Sequence, residues 1–199
     1  MRAVALSPTH AMKITLVRHG ESAANVANVI NDDPARVVPL TATGRGQALA
    51  LADKLRGAPF VQAYASEFAR AQQTAIILLG DRCLHLEFDA RLNERRSGMD
   101  GQPTQAFTDL VASDPVRTKP AAGESFLEQM ARVQACLDTL AERHAEAEVL
   151  AVSHENPILA ACALAGMAVE EAARGSIPNC GRVVIEWTAG SGRLLETAS

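Results

Sequence analysis

The run Arg18-His19-Gly20-Glu21-Ser22 sets a cation, an imidazole and a glycine directly after the short apolar stretch 13–17. A β-branched apolar stretch of that length reads as a buried strand, so these polar residues emerge at its C-terminal end. A strand-to-helix turn offers free backbone N–H groups, and Gly20 lets an anion approach the main chain closely. The chemistry on offer is anion binding beside an imidazole. A single histidine at such a place has two readings, structural or catalytic. A second strand-like run, 149–152, also ends in Ser153-His154. In open α/β sheets ligands bind beyond the carboxyl ends of the strands, so His19 and His154 are expected to meet there.

The elements that must position these residues alternate along the chain. Strands are expected at 13–17, 61–65, 84–88, 149–152, 182–187 and 193–196, with 189–192 as the last turn. Helices are expected at 23–30, from Thr41 as N-cap through 56, over 67–79 with Ser66 as cap, and at 158–165 with Pro157 in the first turn. A long helix over 124–145 carries Phe126, Leu127, Met130, Val133, Leu137 and Leu140 on its apolar face, and Ala48, Leu49, Leu51, Ala52 and Leu55 do the same for the second helix. Residues 91–122 are the least regular, with one short helix near 105–111. Strands alternating with helices imply an α/β fold, a sandwich around a mostly parallel sheet.

Composition narrows the function classes. The 199 residues are 48% hydrophobic and 21% charged, enough for one packed domain and unlike a disordered chain. A formal net charge of −4 argues against a general nucleic-acid partner, while leaving room for a local cationic cleft. Cys83, Cys136, Cys162 and Cys180 form no CxxC pair, so reduced thiols are expected rather than a metal or redox site. No apolar run approaches the roughly 20 residues of a membrane span, and residues 1–11 lack the apolar core of a secretory signal. A cytoplasmic protein with no membrane partner is the expectation. Residues 1–11 read as an N-terminal extension to a catalytic domain over 12–199, because Met12 stands directly before the first strand.

The run Leu16-Val17-Arg18-His19-Gly20-Glu21-Ser22 with Asn25 resembles the signature of the histidine phosphatase (phosphoglycerate mutase-like) superfamily. Leu40-Thr41 with Gly44, Gln47 and Ala48 is similar to that family's second block. Ser66-Glu67-Phe68-Ala69-Arg70-Ala71-Gln72-Gln73-Thr74-Ala75 resembles its Ser-x-x-x-Arg-Ala-x-Gln-Thr-Ala element. Leu92-Asn93-Glu94 with Gly98 resembles the acid-bearing block, and Gly123-Glu124-Ser125 with Arg132 the start of its long helix. Val152-Ser153-His154 and Ile177-Pro178-Asn179 complete the set, in the family's order and across 13–187.

The resemblance implies a three-layer α/β/α sandwich and a metal-free, cofactor-free phosphomonoesterase acting on a small phosphorylated substrate. It implies that His19 attacks phosphorus, which requires a neutral imidazole with its far nitrogen held by a hydrogen bond. Arg18 and Arg70 would grip the phosphoryl oxygens through forked hydrogen bonds, Asn25 and Ser22 would line the same subsite, and His154, cationic with phosphate bound, would help neutralise the transition state. Glu94 would protonate the leaving oxygen and then deprotonate the hydrolytic water, a double duty that needs a carboxyl pKa raised towards neutrality. Outside that context Arg70 and Glu94 read as surface charges. Glu124 and Arg132 read as structural, Glu21 as a helix-start carboxylate, and Arg95 and Arg96 as either solvated or contacting a second anionic group.

One residue departs from the pattern. The family usually has glycine after its second histidine, and this chain has Glu155. A carboxylate there must turn away or face something cationic; one hypothesis is that it selects substrates bearing a cationic group. The acid block lacks the His-Tyr-Gly of the mutases, and 97–122 is short for a closing lid, so a phosphatase is favoured over phosphoglycerate mutase-type transfer. A catalytically silent binding module is the remaining alternative, and the presence of His19, Arg70, Glu94 and His154 speaks against it. Both monomer and homodimer fit the sequence.

Overall fold

Residues 148–153 are apolar on both faces, as a strand covered on both sides must be. In the computed structural model, which describes residues 11–198, this strand, β4 (Glu148–Ser153), lies within a single six-stranded sheet. The others are β1 (Met12–Arg18), β2 (Phe60–Ala65), β3 (Leu86–Phe88), β5 (Arg182–Thr188) and β6 (Ser191–Ala198), in the spatial order β3-β2-β4-β1-β5-β6. The first four of that order run parallel, and β5 and β6 extend the sheet as antiparallel pairs. Residues 1–10 of the expected extension lie outside the described residues.

Because side chains alternate across a strand, β4 serves two cores at once. Val149 and Ala151 pack with α5 (Phe126–Arg143) and α6 (Glu155–Leu164), where Val133, Leu137, Leu140, Ile158 and Ala161 are buried. Leu150 and Val152 face α2 (Ala42–Lys54) and α3 (Ala69–Leu79), against Leu51, Leu55, Ala71, Ala75 and Leu78. This is the three-layer α/β/α arrangement. Leu49 and Leu127, expected on apolar faces, are instead exposed, since each lies one residue off the stripe that meets the sheet. No helix among the described residues is long and apolar enough to cross a membrane.

Three further helices are short. α1 (Ala23–Ala27) begins at Ser22 in a capping box with Asn25 and stops at Asn28, whose left-handed backbone (φ 53°) ends the expected 23–30 helix early. α4 (Thr104–Val111) is the one regular piece of the long irregular region. α7 (Val169–Ala172) is too brief to leave a periodic signal in the sequence. Ser66 does not cap α3; that helix starts at Ala69 with Phe68 at the N-cap position, and Ser66 is engaged elsewhere.

The turn after β1 is packed backbone to backbone against the start of α2. A Cβ on Gly44 would sit 2.0 Å from the Glu21 carbonyl oxygen, and one on Gly20 would sit 2.5 Å from the Gly44 carbonyl oxygen. Neither neighbour is a flexible side chain, so the clash must move main chain. Gly44→Ala should therefore cost about 1–3 kcal/mol of stability in chemical denaturation, and kcat/KM should fall because the displaced segment carries His19.

Candidate active site

Strand register brings the two histidines together. β1 and β4 pair in parallel with Arg18 opposite Ser153, and His19 N–H donates to the Ser153 carbonyl at 3.0 Å. The next residue of each strand end is therefore a histidine, and the rings lie edge to face with centroids 5.0 Å apart. β2 ends alongside, with Ser66 N–H on the Val152 carbonyl at 3.0 Å. Three adjacent strand ends thus carry His19, His154 and Ser66 to one spot, as the topology of parallel sheets favours.

Hydrogen-bond partners assign the ring protons. His19 Nδ1 donates to the Gly20 carbonyl at 2.7 Å, which leaves Nε2 as the lone-pair nitrogen, and Arg70 Nε donates to it at 3.0 Å. Burial holds the His19 pKa well below the ordinary 6.5; the Arg70 charge adds to the lowering, the Gly20 bond opposes it, and Arg18 lowers it further. The ring is neutral. His154 Nδ1 accepts from an Arg70 terminal nitrogen at 3.2 Å, while its Nε2 shares a 2.7 Å hydrogen bond with the Ser66 hydroxyl. Burial first, then Arg70 and His19, also push the His154 pKa well down. Without a bound anion His154 is neutral too, so its expected cationic form depends on a phosphate arriving.

Arg70 is a buried arginine held on every side. Asn31 takes one terminal nitrogen through its side-chain oxygen and the other through its backbone carbonyl at 3.1 Å, and the Phe68 ring lies 4.4 Å from the guanidinium carbon. Burial lowers its pKa to about 10, so it remains charged at neutral pH. Thr74 ties the helix to the turn, donating to the Arg70 carbonyl and accepting from Gly20 N–H. Asn31, Ser66, Phe68 and Thr74 were not singled out as site residues from sequence. Asn31 lies in an Asn-Asp-Asp-Pro break that carries no signal of burial, and it is 5% exposed.

Glu94 is placed by a clasp from the other side of the cleft. Arg132, on α5, donates to the carbonyls of Arg91, Asn93 and Glu94 and pairs with the buried Glu124. Asn93 exchanges hydrogen bonds with the backbone and carboxylate of Glu67, and Ser153 holds the Leu92 carbonyl. The structural reading of Glu124 and Arg132 agrees with this. Burial raises the Glu94 pKa, opposed by the Arg95 N–H bond at 2.8 Å and by the Arg70 and Arg18 charges. Arg95 is itself buried, with its guanidinium on the carbonyls of Glu124, Pro115 and Thr118. It organises the irregular segment rather than reaching for an anion, and Arg96 pairs with Glu124.

The cleft beside these groups has a volume of about 550 Å³, and His154, fully buried behind Arg70 and His19, is not among the residues that line it. Arg18, His19, Arg70, Glu94 and Glu155 line it, as do Ser22 and Asn25. Ser22 is fully buried and its hydroxyl donates to the Asn25 side-chain oxygen, which also accepts the Ser22 N–H. Asn25 therefore keeps its amide nitrogen for the cleft. Asn179 donates to the His19 carbonyl at 3.0 Å, which explains the place of the Ile-Pro-Asn block in the resemblance. The outer wall is apolar: Val29, Ile30, Phe107, Val111 and Pro115, with the hydroxyls of Thr104 and Thr108 from α4.

Comparison with known proteins gives the family and the fold. The family model "Histidine phosphatase superfamily (branch 1)" matches residues 14–199. The adenosylcobalamin/alpha-ribazole phosphatase of Escherichia coli is 32% identical over 170 residues, 80% of this chain and 82% of that protein. A Yersinia enterocolitica protein named "Probable phosphoglycerate mutase GpmB" is 32% identical over 152 residues, 72% of this chain and 69% of its own. The crystal structure of the alpha-ribazole phosphatase from Shigella flexneri superimposes with a TM-score of 0.80 at 28% identity, covering 94% of this chain and 96% of that one. The chain is therefore a phosphoric monoester hydrolase of the histidine phosphatase superfamily, branch 1.

Proposed function

We propose that this enzyme cleaves its phosphate ester in two steps through a phosphohistidine on His19, with Glu94 as general acid and then general base. The observation that carries the reading is the buried, neutral His19, with Nδ1 on a carbonyl and Nε2 facing the cleft beside Arg70. A nucleophile so held needs no deprotonation before attack. In the first step Nε2 bonds to phosphorus and the ester P–O bond breaks. The leaving oxygen takes the Glu94 carboxyl proton, and burial, by raising the pKa of that group, keeps the proton on it to higher pH than a solvated carboxyl would. In the second step Glu94, now a carboxylate, takes a proton from water as the water attacks phosphorus. The P–N bond breaks, orthophosphate leaves and His19 returns neutral.

Arg18 and Arg70 provide the fixed positive charge of the phosphoryl subsite, and Asn25 adds an uncharged donor. Arg70 must move its Nε from the imidazole to a phosphoryl oxygen when substrate binds. A dianionic phosphate beside His154 favours protonation of the Nδ1 that Arg70 then releases. These groups account for the charge of the transition state without a metal, so turnover should persist in the presence of a chelator.

The substrate class follows from the outer wall. Arg95 is committed to backbone carbonyls and Arg96 does not line the cleft, so Arg174 at the rim is the one exposed arginine among the lining residues. Apolar Val29, Ile30, Phe107, Val111 and Pro115 suit a bulky, partly apolar alcohol better than a short acid with its own carboxylate. Burying about 60 Å² more apolar surface is worth ~1.5 kcal/mol, about tenfold in kcat/KM. A screen should rank naphthyl phosphate at least that far above 3-phosphoglycerate, with orthophosphate as product. Transfer of the phosphoryl group to a second hydroxyl in preference to water would favour the mutase reading instead, and preference for 3-phosphoglycerate would refute the substrate class.

A further inference from the structure

Glu155 stands at the first position of α6, where a carboxylate beside a phosphate subsite ought to weaken phosphate binding. Its surroundings say what it does there. A single carboxylate oxygen, Oε1, accepts from an Arg18 terminal nitrogen at 3.0 Å, from the Ser176 hydroxyl at 2.8 Å and from Ile177 N–H at 2.9 Å. The same Arg18 nitrogen also donates to the Ile177 carbonyl. The end of β1, the start of α6 and the segment after α7 are thereby joined at one point. Both side chains are largely withdrawn from water, Arg18 at 16% and Glu155 at 26% exposure. Arg18 Nε is buried and meets no hydrogen-bond partner among the described residues, although Arg18 lines the cleft.

A free arginine must surrender rotamer freedom when it grips a ligand, and prior ordering removes that loss from the binding step. We propose that Glu155 is a positioning residue for Arg18, holding one end of the guanidinium so that its remaining N–H groups are kept for the phosphoryl group. This rests on the phosphatase reading above. Glu155 acts through Arg18 and not on the substrate, which sets it apart from the alternative in which it recognises a cationic group of the ester. The carboxylate also repels phosphate, so the two effects have opposite signs. Removing a mere bystander charge would tighten phosphate binding; removing a positioner weakens it.

The test is the affinity for orthophosphate by calorimetry, with kcat and KM for an aryl phosphate alongside. Glu155→Gly should weaken orthophosphate binding and raise KM about tenfold, with kcat changed about threefold or less, the pattern of lost uniform binding. Glu155→Gln keeps an oxygen able to accept all three hydrogen bonds and should restore binding to within about threefold of wild type. In an Arg18→Ala background Glu155→Gly has nothing left to position, so it should leave binding unchanged or slightly tighter. Thermal melts of each variant separate folding loss from binding loss, and Glu155→Ala, which also removes the carboxylate but keeps a better helix former, serves if the glycine variant is unstable. Tighter binding in Glu155→Gly, an equal loss with and without Arg18, or an altered ranking of amino-bearing against neutral esters would each overturn the proposal while leaving the phosphatase reading intact. Wild-type protein that neither binds orthophosphate nor turns over would overturn both.

Discussion

Replacing His19 with alanine should lower turnover by at least about 10⁴-fold and abolish the phosphoenzyme, since it removes Nε2, the lone-pair nitrogen of the imidazole that lines the cleft. The trapped intermediate should be acid-labile and alkali-stable, as a phosphoramidate is, and absent from His19→Ala. Orthophosphate affinity should change far less, because Arg18 and Arg70 stay in place and Arg70 keeps its contacts with Asn31 and Phe68. The lowered pKa also fixes the sign of a pH effect. An imidazole held well below 6.5 stays neutral as pH falls through 6.5, so the nucleophile is lost only at lower pH, where protonation reaches that depressed value. A phosphoenzyme persisting in His19→Ala would remove His19 from the mechanism.

Glu94→Gln should slow hydrolysis of an alkyl phosphate by about 10²–10⁴-fold, while leaving the first step with an aryl ester such as 4-nitrophenyl phosphate much less affected. An alkoxide needs a proton to depart; a nitrophenolate does not. The second step still lacks its base, so the aryl ester should give a stoichiometric burst of nitrophenolate followed by slow release of phosphate. In wild type the first step needs Glu94 protonated, so its rate should decline as pH rises through a pKa raised above 4.5 by burial. That decline should be missing from the glutamine variant. Equal losses on aryl and alkyl esters, with no burst, would show that Glu94 is not the proton donor.

Much of this arrangement was open to inspection in the sequence. The apolar runs of β1 and β4 read as strands because both faces of each are covered, and each ends in a histidine for which the sheet topology supplies a neighbour. The long helix α5 showed itself by its 3.6-residue period. The glycine, asparagine and proline breaks marked the turns. Where the reading was incomplete, distant contacts were responsible. Ser66 has the composition of a helix cap, yet its hydroxyl lies on His154, 88 residues further along the chain. Arg95 looks like a solvated loop arginine until carbonyls from residues 115, 118 and 124 surround it. Nothing local distinguishes Asn31 from its polar neighbours, although it anchors Arg70.

By itself, then, the sequence determined the α/β layering, the strand ends that deliver His19 and His154, and, through its ordered blocks, the family. Those features depend on local periodicity and on residues near one another in the chain. Only the tertiary structure decided which nitrogen of His19 is free, why both histidines are neutral before phosphate binds, and that Glu155 faces Arg18 rather than open solvent. Tautomer, charge and orientation are set by desolvation and by hydrogen-bond partners, and here those partners come from segments that meet only when the sheet is assembled.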